Sequence, residues 1–220
     1  MPDLWRFEKE AAEMGFCRIA GIDEAGRGPL AGPVVSAAVM FPMGVCIPGI
    51  NDSKKLRPKQ RERLYDQIYD QAGSVGIGIV DPVEIDRINI LRAALLSMKM
   101  AVENLFPAPE YLLIDGNVPL HVSLPQKSIP QGDGSSASIA AASIVAKVTR
   151  DRLMDRYHDE YPQYGFLQHK GYPTQHHKAA ILRFGPCPIH RRSFTGVADR
   201  QCRLPLRNLE EPARYTRRNT

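Results

Sequence analysis

No run of about 18 apolar residues occurs anywhere in the 220-residue chain, so no segment is a candidate for a membrane-spanning helix. Cysteine is scarce and scattered. Cys17, Cys46, Cys187 and Cys202 form no C-x-x-C pair, which sets aside the usual zinc and dithiol motifs and suggests reduced thiols in a cytosolic protein. The opening residues carry mixed charge (Asp3, Arg6, Glu8, Lys9, Glu10) in place of the basic-then-apolar order of a secretory leader. Membrane and secreted classes are thereby excluded, and a cytoplasmic monomer is expected. Also missing is G-x-x-x-x-G-K-[ST], the loop that cradles phosphates in P-loop nucleotide hydrolases. No internal repeat is visible, and no low-complexity tract precedes the Arg-rich end.

What is present is the composition of an ordinary globular domain, 43% hydrophobic and 24% charged. A single domain of this length buries roughly 70% of its unfolded surface and needs neither a structural metal nor a disulfide. The net charge of +5 is unevenly placed. Nine arginines and three acids between Arg183 and Thr220 give that segment +6 and leave the rest of the chain at −1. Such a segment is an electrostatic footprint for a polyanion, nucleic acid above all, or else a solvated tail.

The pattern of apolar residues predicts strands over 18–25, 33–41, 75–80 and 111–114, with a weaker one near 126–129. Val75 to Val80 alternates Val/Ile with Gly, which marks a strand that something else approaches closely. Helices are expected over about 58–71, from Asp81 to Leu105 as one long amphipathic element, over about 135–161 and over 174–184. Strands interspersed with helices in this order give a mixed α/β sheet with helices packed on it.

Three turns carry acids. Asp23-Glu24 closes the first strand and Asp115 a later one, and ligand sites in open α/β sheets lie at such carboxyl rims. Asp133, between Gly132 and Gly134, is by itself an ordinary turn-former. Strands disfavour Asp, so the pair Asp23-Glu24 is the strongest of the three signals. Successive side chains alternate across a strand, so these two reach one site only where the strand frays, which Gly26 permits. Carboxylates gathered together call for a divalent cation, and all-oxygen donors suit Mg²⁺ or Mn²⁺. Two such ions about 4 Å apart support phosphodiester hydrolysis. Gly26-Arg27-Gly28-Pro29-Leu30-Ala31 formally meets the dinucleotide fingerprint, with Asp52 at the right distance. Pro29, Gly32 and Pro33 deny it the helix that must follow, and two neighbouring acids would repel a pyrophosphate.

The segment Ile22 to Val34 resembles the opening motif of bacterial ribonuclease HII, the type 2 ribonuclease H family. Further blocks are similar and in the same order: Asp52 to Leu56, Ile114-Asp115-Gly116, Gly132-Asp133 with Ser138 to Asp151, and His169 to Thr174. The resemblance spans about residues 16 to 194. It implies a ribonuclease H-like fold, a five-stranded mixed sheet flanked by helices with a small helical C-terminal part. The catalytic domain would comprise residues 1–195 and a basic tail 196–220. It also implies an endonuclease acting on RNA/DNA hybrids and on DNA duplexes containing ribonucleotides, cutting 5′ to an embedded ribonucleotide to leave 3′-hydroxyl and 5′-phosphate ends. Asp23, Glu24, Asp115 and Asp133 would be its catalytic acids and the ligands of Mn²⁺ or Mg²⁺. Gly26, Arg27 and Gly28 would read the ribose, Tyr172 would pack on the neighbouring deoxyribose, and Ser53, Lys54 and Lys55 would touch the phosphate backbone. Gln131 and Ser135 stand where the family commonly has lysine. The tail from Arg200 has three readings: disorder, added nonspecific DNA affinity, or docking of a replication partner.

Overall fold

In the computed structural model, residues 3–45 and 47–197 are described; the tail from residue 198, with the readings attached to it, lies outside them. The elements are α1 (Arg6–Glu13), β1 (Ile19–Ala25), β2 (Val34–Met40), α2 (Pro58–Gln71), β3 (Ser74–Val80), α3 (Pro82–Ile88), α4 (Ile90–Glu103), β4 (Tyr111–Asp115), β5 (Gln126–Ile129), α5 (Ala137–Glu160), α6 (Phe166–His169) and α7 (Gln175–Phe184). One mixed sheet runs β3-β2-β1-β4-β5. β2 lies antiparallel between β1 and β3, whereas β1–β4 and β4–β5 are parallel.

The expected helix from Asp81 is two helices. Asn89 adopts φ 72° and ends α3 by donating its amide to the Ile85 carbonyl (3.0 Å), then starts α4 by accepting from the Arg92 amide (3.1 Å). Asn tolerates this backbone region better than most residues, and its short amide caps the next turn. The apolar period runs through the break, which is why periodicity alone does not reveal it.

Helices cover both faces of the sheet. On one, Met98, Ala101 and Val102 of α4 pack on Ala20, Ile22, Ala38, Leu112 and Ile114. On the other, Leu64 and Ile68 of α2 and Ala141, Ile144 and Val145 of α5 pack on Ala37 and Val39. Each fully buried aliphatic side chain contributes about 1.5–3 kcal/mol relative to exposure, so Leu64→Ala, which also leaves a cavity, should cost about 2–5 kcal/mol. The Val/Gly strand is indeed closely approached: a Cβ on Gly76 or Gly78 would overlap the Ala101 or Ser97 carbonyl of α4. α5 is buried all round in its first half and becomes charged after Lys147 as it leaves the sheet. Its Met154 then joins Leu30, Tyr164, Phe166, Ile181 and Ile189 in a separate core that seats the small C-terminal helices. No helix among the described residues is long and apolar enough to cross a membrane.

Candidate active site

The sheet opens where the acids sit. Pairing of β1 with β4 ends at Ile22↔Ile114, while pairing of β1 with β2 continues to Ala25↔Val35. Asp23 and Asp115, each one residue past that last parallel pair, therefore share a level and a face. Strand alternation sends Asp23 toward α5 and Glu24 toward α4. Accordingly, Ser143 of α5 stands beside Asp23, while Glu24 lines a groove of about 250 Å³ with Asp115, Arg27, Leu91, Leu95 and Asn117. Asp133 sits on a 3-10 turn, Gly132–Gly134, just before α5. It lines a second groove, of about 530 Å³, with Asp52, Lys54, Lys55, Gln131 and Ser135. The Gly132 amide donates to Asp115 Oδ1 at 2.7 Å and ties the two turns together.

Asp23 is only 3% exposed. Burial, then the charges of Glu24 and Asp115, push its carboxyl well above the usual carboxylate range, against the neighbouring Ser143 hydroxyl and the hydrogen bond from the Glu24 amide. Asp115 is raised by burial and by Asp133, partly offset by the Gly132 amide and Lys54. The four acids thus form an electrostatic row from Glu24 to Asp133. The outer two already face cations: Arg27 Nη1 lies 3.1 Å from Glu24 Oε1, and Lys54 Nζ 3.0 Å from Asp133 Oδ2. Burial disfavours the charged Lys54, yet the hydrogen bond to Asp133 and the charges of Asp133, Asp23 and Asp52 prevail and raise its pKa. Among the described residues, no three carboxylates or imidazoles stand close enough together to hold an ion without rearrangement. The inner acids have the opposite need: Asp23 is buried beside two further negative charges with no cation hydrogen-bonded to it, and every donor is oxygen. This set fits a hard divalent cation.

The other expected site residues fall in three places. Gly28 and Tyr172 meet across a gap in which a Cβ on Gly28 would lie 3.7 Å from Tyr172 Cε1. The Tyr172 ring is exposed, and its carbonyl is bonded to His177 Nδ1 at 2.9 Å. That carbonyl can only accept, so His177 Nδ1 carries the proton and its Nε2 accepts from His190 Nε2–H (3.0 Å). His190 Nδ1 in turn accepts from the Cys187 amide (2.9 Å). Burial lowers both imidazoles to about 4 and keeps this chain neutral.

Lys54, expected on phosphate, and Arg27, expected at the ribose, are engaged with acids as described, and Lys55 lies 3.9 Å from Asp52. Ser53 is set deeper than the two lysines that follow it. Its side chain is buried and shares a hydrogen bond with Ser143 Oγ (2.8 Å), so it supports the serine that stands beside Asp23. One correction concerns charge: Arg191, counted within the basic C-terminal segment, is 0% exposed and bonded to main-chain carbonyls. The predicted dinucleotide rival fails as argued, since residues 26–33 lead into β2 with no helix.

Two positioning groups have no local signal in the sequence. Glu8 of α1 is buried and accepts from Ser136 Oγ (2.6 Å), the Ser138 amide (2.9 Å) and Ser138 Oγ (2.6 Å). A carboxylate there satisfies orphan donors at the start of α5, directly after the Asp133 turn. Ser143 is the other, visible only as one small residue among the alanines of α5.

The ribonuclease HII family model matches residues 20–197. The ribonuclease HII of Geobacter sulfurreducens is 55% identical over 198 residues, 90% of this chain and 91% of its own. That of Syntrophobacter fumaroxidans is 58% identical over 195 residues, 89% of this chain and 84% of its own. Among solved structures, the ribonuclease H2 of Pyrococcus horikoshii superposes with a TM-score of 0.70 at 28% identity, covering 82% of this chain and 95% of that one. The acid-lined rim of this ribonuclease H-like sheet and these matches agree, and the chain belongs to the ribonuclease HII family, a family of nucleases.

Proposed function

We propose that this protein is an endoribonuclease that cleaves RNA in RNA/DNA hybrids and cuts 5′ to ribonucleotides embedded in duplex DNA, leaving 3′-hydroxyl and 5′-phosphate ends. The observation that carries the reading is the placement of Asp23, Asp115 and Asp133 at one open strand rim, beside a glycine turn that faces an exposed tyrosine. Asp23, Glu24, Asp115 and Asp133 would hold two Mn²⁺ or Mg²⁺ ions. When bound, these ions supply an activated water and charge relief at the leaving oxygen.

The chain's own residues do the rest. Asp23 stands beside Ser143 and is held by the hydrogen bond it accepts from the Glu24 amide (2.7 Å). Asp115 and Asp133 are locked in register through the Gly132 amide. Lys54 and Arg27 neutralise the outer acids in the free protein and are near enough to the rim to turn to substrate phosphate. Across the cleft, the 26–28 backbone approaches the sugar edge, where the 2′-hydroxyl is the one group that distinguishes RNA from DNA. Tyr172 then packs against the next sugar and donates from its hydroxyl. Residues 1–195 would form the catalytic unit of a cytoplasmic monomer, serving ribonucleotide excision and primer removal. Residues 196–220 would add DNA affinity or receive a replication partner.

The test is a labelled DNA duplex with one internal ribonucleotide, incubated with and without Mg²⁺ or Mn²⁺, beside a matched RNA/DNA hybrid and an all-deoxy duplex. A cut mapped to the 5′ side of the ribonucleotide, dependent on the ion, is expected. Equal cleavage of the all-deoxy duplex, or no ion-dependent cleavage, would overturn the reading.

A further inference from the structure

Two guanidinium groups are the largest fully buried side chains among the described residues, Arg150 at 1% and Arg191 at 0% exposure. Neither has a carboxylate within ion-pair distance among the described residues; their partners are carbonyls. Arg191 donates from Nη2 to the Gly26 carbonyl (2.6 Å), from Nη1 to Arg27 (3.1 Å) and from Nε to Gly32 (2.9 Å). Arg150 donates from Nη2 to Ala31 (3.0 Å), from Nε to Pro33 (3.0 Å) and from Nη1 to Lys170 (3.0 Å). The Arg191 amide also takes the Leu30 carbonyl (2.8 Å). Of the eight carbonyls from Gly26 to Pro33, six are therefore turned inward onto these two residues.

Burying an unpaired cation is costly, and here burial lowers Arg150 to about 10 and Arg191 to about 9. Both nonetheless remain charged near neutral pH, held by several charge-assisted hydrogen bonds each. Leucine and methionine would fill such a core at less cost, so the guanidinium forks point to a need for this loop's shape. Fixing the carbonyls inward sets the direction of the amides. Leu30 and Gly32 donate to Gly171 and Ile189, while the amides of Arg27 and Gly28 have no acceptor among the described residues and lie beside the gap to Tyr172. The fit around Arg150 is close enough that a Cβ on Gly26 would overlap its Nε. Arg150 is further joined through the Lys170 carbonyl to the segment that carries Tyr172, so one clamp sets both walls of the gap.

We propose that Arg150 and Arg191 are positioning residues for ribose selection: they hold the 26–33 loop with the Arg27 and Gly28 amides directed at the sugar, without touching substrate themselves. The inference rests on the reading of the cleft as a ribonucleotide site. A fork that bridges three carbonyls cannot be replaced by one ammonium, so Arg191→Lys and Arg150→Lys keep charge and approximate volume but release the loop.

The experiment measures, for wild type and both variants, thermal unfolding, kcat and KM on the single-ribonucleotide duplex, and the ratio of affinities for that duplex and its all-deoxy match in EDTA. The expected result is cooperative unfolding, a KM raised by about tenfold or more, and a ribo/deoxy affinity ratio that collapses toward one while all-deoxy affinity is unchanged. A purely structural role would lower the active fraction, and thus kcat, without moving KM or the ratio. Folded variants with the wild-type ratio would overturn the inference. Should neither variant fold, deuterium exchange of wild type decides: the Arg27 and Gly28 amides must be protected by the ribonucleotide duplex and not by the all-deoxy one, and equal exchange in the two overturns it. Wild type that binds the two duplexes alike would sink the ribonucleotide reading itself, a separate outcome.

Discussion

The two sides of the cleft bury charge in opposite ways. On the acid side, Asp23 lies buried beside Glu24 and Asp115, and the hydrogen bond from the Glu24 amide does not offset first its burial and then that repulsion, so its carboxyl is pushed up. On the loop side, Arg150 and Arg191 are buried just as deeply, but their donors meet backbone carbonyls. The difference teaches where each side spends its charge. The loop's cations are satisfied within the chain and produce shape. The acids are left in deficit, which at neutral pH calls for an added cation, and so produce a binding site.

The largest effect that would break this comparison comes from the acids. Asp23→Asn and Asp115→Asn keep the shape and remove the charge that holds an ion, so cleavage of the single-ribonucleotide duplex should fall by at least about 100-fold. Duplex affinity measured without metal should stay within a few-fold. Near-normal rates at saturating Mn²⁺ would place the chemistry elsewhere.

Next come two glycines two positions apart in the same loop. Gly26 has φ 101° and no room for a Cβ beside Arg150, so Gly26→Ala combines about 1–3 kcal/mol of backbone strain with a clash, and should lower the melting temperature as well as activity. Gly28 has ordinary space, the nearest atom to an added Cβ being Tyr172 Cε1 at 3.7 Å. Gly28→Ala should therefore melt like wild type and lose ribonucleotide cleavage, because its methyl occupies the gap to Tyr172. Melting curves and rates on the two variants check the pair; equal destabilisation of both would mean that the loop is uniformly structural.

The smallest effect is at Tyr172. Phe keeps the packing face and loses one donor, a change of about 0.5–1.5 kcal/mol, so Tyr172→Phe should retain more activity than Tyr172→Ala in side-by-side kcat/KM measurements.

Much of this architecture is legible in the sequence. The strand ending at Asp23-Glu24, the strand ending at Asp115, the weak strand 126–129 and the helix 58–71 lie where the patterns put them, because periodicity and Gly/Pro punctuation are local. The break at Asn89 was hidden because an asparagine in a positive-φ position leaves the 3- and 4-residue spacing intact. Ser53 looked like a polar turn residue; its burial depends on Ser143, 90 residues away. Arg191 looked like one more charge in a basic segment. Its role depends on carbonyls more than 150 residues earlier, and main-chain acceptors carry no side-chain signature. Acids announce themselves against an apolar strand, whereas the groups that position them or hold the loop are ordinary residue types made special by long-range contact.

The central claim is that the acid side is built with a charge deficit for divalent cations, and stability without cleavage tests it most directly. A carboxyl raised in the folded state favours folding at low pH and loses that contribution as pH rises through its folded value. Metal-free wild type should therefore weaken on going from acid to neutral pH by the amount that Asp23 contributes. At pH 7.5 in EDTA, Asp23→Asn should melt above wild type. Adding Mn²⁺ should raise the melting temperature of wild type and leave Asp23→Asn nearly unmoved. If Mn²⁺ does not shift wild type and Asp23→Asn melts lower than it in EDTA, the acids are structural and the account is wrong.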